Sequence, residues 1–68
     1  MTNHNTILKM CLPLLQRIQD CHGCIVVAAA DLIQAGAAIE GGYAWAEDDY
    51  EGPRMYLTEA GEKALRLR

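Results

Sequence analysis

The chain has 68 residues, 51% of them hydrophobic and 22% charged, with six Lys and Arg against nine Asp and Glu. That length holds one domain, and that apolar share excludes a disordered tail. The net charge of −3 is opposite to the balance of a domain that lives on phosphate contacts.

Residues 6 to 20 carry the first helical pattern. Ile7, Cys11, Leu14, Leu15 and Ile18 repeat at helical spacing, and Leu8 and Leu12 widen the stripe. Asn5 or Thr6 is placed to cap its start. Pro13 either kinks this helix or opens a helix after a separate first turn. The apolar stripe runs through the proline, which favours one kinked helix.

Asp20-Cys21-His22-Gly23-Cys24 breaks the pattern and reads as a turn. Ile25-Val26-Val27 alone suits a strand, but the alanine-rich run that follows favours a helix from Ile25 to Ala35, ended by Gly36. From Ala38 the period becomes two. Ile39, Gly41, Tyr43 and Trp45 then share one face of a strand, with a bulge expected at Gly41-Gly42. Glu47 to Pro53 reads as a loop and Arg54 to Leu57 as the return strand. Thr58 is the expected N-cap of a closing helix, with Glu59 and Glu62 at its positive end and Arg66 and Arg68 at its negative end. Ala60, Ala64 and Leu67 form its expected inner stripe.

Leu32-Ile33-Gln34-Ala35-Gly36-Ala37-Ala38-Ile39-Glu40-Gly41-Gly42-Tyr43 resembles the end of a recognition helix and the first wing strand of winged helix-turn-helix proteins. Arg54-Met55-Tyr56-Leu57-Thr58-Glu59-Ala60-Gly61 resembles their second wing strand and closing helix, with the leucine-threonine-x-x-glycine corner of many bacterial and phage regulators. The resemblance covers about half of the chain. It implies an α+β, reduced winged-helix-like single domain over residues 1–68: two N-terminal helices, a two-stranded β-hairpin wing and a short C-terminal helix. It also implies a macromolecular partner.

The wing carries Glu47, Asp48, Asp49 and Glu51, which repel nucleic-acid phosphates within a Debye length of about 8–10 Å. Residues 25–35 include no Arg or Lys for base edges. The leading expectation is therefore a non-enzymatic regulator that meets a basic protein surface through Glu47, Asp48, Asp49, Tyr50 and Glu51, flanked by Tyr43 and Trp45. A homodimer packed on helical faces is expected with it. Some phage-encoded inhibitors of host nucleic-acid machinery block their targets this way. The alternative is a DNA-binding transcriptional regulator using Arg54, Lys63, Arg66 and Arg68, with Lys9 and Arg17 in reserve.

The Cys21/Cys24 pair at CxxC spacing allows a zinc-stapled module, with Cys11, His22 or His4 completing the ligands. The second spaced pair of a zinc ribbon is absent, and no βαβ unit supports a redox CxxC. No cofactor is therefore expected. Nucleophile–base pairs, paired carboxylates and phosphate-cradling glycines are absent as motifs. Without an eighteen-residue apolar run or a secretion signal, the expected setting is the cytoplasm, with reduced thiols and no membrane contact.

Overall fold

The computed structural model describes residues 4–67, with side chains from Thr6 to Leu67. The order is helix α1 (His4–Asp20), strand β1 (Cys24–Val26), a 3₁₀ turn (Ala29–Asp31), helix α2 (Leu32–Glu40), strands β2 (Ala44–Asp49) and β3 (Gly52–Leu57), and helix α3 (Glu59–Leu67). The three strands form one antiparallel sheet in the order β1-β3-β2.

Helix α1 is the spine of the core. Cys11, Leu14, Leu15 and Ile18 are fully buried, and their spacing of three and four residues turns one stripe inward. They pack with Ile25, Val27, Ala35, Ala38, Ala44, Met55 and Leu65. The helix is continuous through Pro13, which is exposed, so the carbonyl left without an N–H partner can meet water. Asn5 and Thr6, the expected caps, lie inside the first turn instead of ahead of it.

The expected helix from Ile25 to Ala35 is corrected. Cys24–Val26 pairs with β3, setting Ile25 opposite Met55 and Val26 opposite Arg54. The β-branched run gains a ladder of backbone bonds and a place under α1, and this outweighs the helix preference of the alanines beyond it. The sheet consequently has three strands instead of the expected two, and the second helix starts only at Leu32. It then continues past Gly36, the expected terminus, to Glu40.

The two helix ends explain the glycine-rich segments. At the end of α2, Tyr43 N–H donates to the Ala38 carbonyl (2.9 Å) and Gly42 N–H to the Ile39 carbonyl (3.1 Å). Gly42 has φ of 80°. This paired 6→1 and 5→2 pattern around a left-handed residue is a Schellman end, so the expected bulge at Gly41-Gly42 is a helix terminus. Strand β2 accordingly starts at Ala44, not near Ala38. The same device closes α1: Gly23 N–H meets the Ile18 carbonyl (2.9 Å) and His22 N–H the Gln19 carbonyl (3.2 Å). Here His22 holds the left-handed position, with φ of 65°.

The hairpin is longer than expected. Asp48 and Asp49 belong to β2, opposite Pro53 and Gly52 of β3, which leaves a two-residue turn of Tyr50 and Glu51. At its other end Thr58 caps α3 as expected, its Oγ1 accepting from the Gly61 N–H (3.1 Å). The same hydroxyl donates to the Gly42 carbonyl (2.7 Å), and Thr58 N–H donates to the Tyr43 carbonyl (3.1 Å). The inner residues of α3 are Gly61 and Leu65; of the expected stripe, Ala64 is half-buried while Ala60 and Leu67 are exposed. The helix is rotated because Gly61 permits backbone contact with Tyr43.

One ion pair ties α1 to the 3₁₀ turn that leads into α2. Arg17 Nη1 donates to Asp31 Oδ1 at 2.9 Å, and Asp31 is the one charged residue buried among those described. This hydrogen bond holds the Asp31 carboxyl below its ordinary value of 3.8, against the opposing effect of burial. A carboxyl held low in the folded state contributes stability above its unfolded pKa. That contribution is lost as pH falls through the folded value. Urea midpoints are therefore expected to be flat from neutral pH down to about pH 5 and to fall below about pH 4. In Asp31→Asn the plateau is lower and the acid limb shallower; identical limbs in the two proteins would assign the acid response to other groups.

Candidate protein-binding surface

Strand alternation sorts the sheet into two faces. Ile25, Met55, Ala44 and Ala46 face the helices. Cys24 and Val26, Arg54 and Tyr56, and Trp45 and Glu47 lie on the outer face, in cross-strand register. Trp45 and Tyr56 are directly opposite and stack, with ring centroids 4.4 Å apart and planes at 18°. Next along the strands, the Tyr56 hydroxyl donates to Glu47 Oε1 at 2.8 Å. Accepting charge nearby raises the Tyr56 pKa, through this hydrogen bond first and burial second.

Arg54 organises the acidic end. Its Nε donates to Asp49 Oδ2 at 3.0 Å, and its Nη2 lies 3.8 Å from Glu51 Oε2. The hydrogen bond from Arg54 holds Asp49 below the usual carboxylate range. Three of the four expected tip carboxylates are thus engaged within the hairpin: Asp49 and Glu51 by Arg54, and Glu47 by Tyr56. Asp48 remains exposed, and Tyr50 projects from the turn at 96% exposure.

The structure brings Trp45, Glu47, Asp49, Tyr50 and Glu51 together with Tyr56 and Arg54. Tyr43 lies apart from them. It is half-buried, its ring lies over Gly41, and it lines a groove with Leu8, Ala60, Ala64 and Leu67. Its role there is in packing.

The residues considered for nucleic acid do not form one patch of free cations. Arg54 is held by carboxylates of its own hairpin and Arg17 by Asp31. Lys63 and Arg66 are exposed on α3, and Arg68 lies outside the described residues.

The cysteines separate as well. Cys11 is wholly buried, with its thiol directed to the Leu8 carbonyl (3.6 Å), and burial pushes its pKa up. It is therefore withdrawn from the solvent-side pair. Cys21 is exposed and Cys24 half-buried, with Arg54 Nη1 3.8 Å from the Cys24 sulfur. No group of three His, Cys, Asp or Glu among the described residues is placed to hold a metal ion; the His4 side chain lies outside that set. Cys21, His22 and Gly23 are the capping residues of α1.

Sequence reasoning expected apolar helical faces at an interface but did not name the exposed residues of α2. Leu32, Ile33 and Ile39 are 57%, 76% and 47% exposed, on a helix with no basic residue. The signal was present in the sequence, since a nine-residue helix with small residues inward must turn its large aliphatics outward. It was hidden by placing the helix seven residues too early.

No helix among the described residues is long and apolar enough to cross a membrane. Comparison of the chain with protein-family models, with curated proteins and with solved structures finds no match to any of them.

Proposed function

We propose that this chain is a small, non-enzymatic binding protein of reduced winged-helix-like design that acts by protein–protein contact in a reducing, cytoplasmic setting. The observation that carries this reading is the surface of α2. The helix just ahead of the hairpin exposes Leu32, Ile33 and Ile39 and offers no Lys or Arg. Apolar side chains of this size on a surface helix are groups for a protein partner, whereas base edges and phosphates call for Arg, Lys, Asn or Gln. The stacked Trp45–Tyr56 pair and the exposed Tyr50 add aromatic contact area on the hairpin. The Leu57-Thr58-x-x-Gly61 corner, with Thr58 capping α3, supports the winged-helix-like part of the reading.

The acidic tip selects for a basic partner, with Asp48 as its free carboxylate. Two measurements test the reading together. Duplex DNA titrated at low salt is expected to show no shift at micromolar protein. Affinity capture from the native host is expected to retain a protein that is lost with Tyr50→Ala and Asp48→Lys, while both variants keep the parent circular dichroism spectrum. Asp49 is left in place because it anchors Arg54. Salt-dependent DNA binding, with capture unaffected by either substitution, would replace this reading with the DNA-binding regulator built on Lys63 and Arg66.

A further inference from the structure

The hairpin outreaches the helices that cover its inner face. Ala46 and Pro53 are exposed there, while Met55 forms a buried floor. Together with Leu32, Gly36 and Ile39 of α2 they line an apolar groove of about 260 Å³. From this geometry we propose that the groove receives the apolar face of a basic amphipathic helix presented by the partner protein. The proposal rests on the protein-binding reading above and names where and what the partner is.

Four observations lead to that occupant. The groove is smaller than the roughly 300–1,000 Å³ of sites that enclose small molecules, but it suits a few aliphatic knobs. Its floor is β3, whose backbone pairs with β1 on one side and β2 on the other. That strand therefore offers side chains and no free backbone groups, which suits a helix with its own bonds satisfied.

Gly36 is the third observation. It sits mid-helix and exposed, and a Cβ there would meet nothing within 4 Å. Glycine weakens a helix interior, and nothing inside the chain requires it at this position. It lets a second helix approach closely.

Charge is the fourth. No Lys or Arg lines the groove. Asp48 lies on the strand face of Ala46 and opposite Pro53. Glu40 follows Gly36 by one turn at the carboxyl end of α2, where the helix dipole is already negative and no basic residue offsets it. Both carboxylates are exposed. A helix with Lys or Arg beside its apolar stripe is complementary to this rim. A second copy of the chain would set Glu40 and Asp48 against their own like in a two-fold contact, with −3 on each copy.

The probe is a fluorescent synthetic peptide of about sixteen residues, with Leu at i, i+3, i+4 and i+7 and Lys on both flanks. Its control carries Glu in place of Lys. The Lys peptide is expected to bind the full chain at micromolar concentration by anisotropy, and to weaken about tenfold in high salt. The Glu peptide is expected not to bind. Gly36→Leu fills the groove at a position with room for it, and is expected to abolish binding while the protein melts no lower than the parent. The paired change Glu40→Lys with Asp48→Lys is expected to exchange the preference between the peptides.

Equal binding of both peptides, or unchanged binding to Gly36→Leu, overturns the proposal. So does a dimer in sedimentation equilibrium that Gly36→Leu dissociates, because the groove then belongs to a second copy. Partner capture that survives Gly36→Leu but is lost with Tyr50→Ala removes the groove and leaves the protein-binding reading intact. DNA binding with no peptide binding removes both.

Discussion

Replacing Gly61 with alanine is expected to remove most of the protein's stability. On helix propensity alone the change would stabilise α3 by about 1 kcal/mol. Packing reverses the sign. The new Cβ would fall on the Tyr43 carbonyl oxygen, with that carbonyl's carbon at 3.0 Å and Leu57 Cδ2 at 3.2 Å. The same oxygen accepts the Thr58 N–H at 3.1 Å, so it cannot retreat without releasing the start of α3 from the start of β2. Backbone is the obstacle, and it does not repack as a side-chain tip does. Overpacking costs about 1–3 kcal/mol, at the upper end where backbone is the obstacle, and a core in a domain this small supplies no more than about 3–5 kcal/mol. A thermal melt followed by circular dichroism is expected to drop by roughly 15 °C or to lose its transition. An unchanged or raised melting temperature would mean that α3 does not lie on Tyr43.

Met55→Ala is expected to be the most costly truncation in the sheet. Met55 is fully buried at the centre of the middle strand, opposite Ile25 on one side and Ala46 on the other. Its loss leaves a cavity under α1 that rigid neighbours on both sides cannot close, at a cost of about 2–5 kcal/mol. Met55→Leu keeps the volume and is expected to cost less than about 1.5 kcal/mol. Urea titrations of the three proteins provide the comparison. A change within about 0.5 kcal/mol for the alanine variant would show that β3 is not the central strand. The cavity stays enclosed only because β1 flanks that side of β3, and β1 is the element that the amino-acid pattern hid.

What was legible in the sequence follows from local chemistry. The α1 stripe could be read because Cys11, Leu14, Leu15 and Ile18 are buried by one continuous helix, with nothing else competing for them. Thr58 could be read as a cap because its hydroxyl reaches the Gly61 N–H three residues on. Residues 25–40 could not be read in the same way. Ile25 is a strand residue only because Met55, thirty positions later, is there to pair with it, and no window of local sequence contains both. Once β1 is formed, α2 slides toward the C-terminus and ends at Glu40, closed by Gly42 instead of Gly36, since Gly42 is the residue that takes the left-handed conformation.

The candidate surface divides the same way. The acidic and aromatic hairpin was visible as composition. Its internal pairing was not, because the partnership of Arg54 with Asp49 and of Tyr56 with Glu47 depends on strand register. The exposed aliphatics of α2 required knowing which face α1 had already taken.

The sheet order leaves β2 as an outer strand six residues long, and unclaimed backbone on such a rim invites lateral growth into aggregates. Glu47, Asp48 and Asp49 stand along that rim. Their mutual repulsion between neighbouring molecules serves as a guard on colloidal behaviour. The same carboxylates that shape the surface also keep a half-apolar chain dispersed, and protonating them in acid removes that guard.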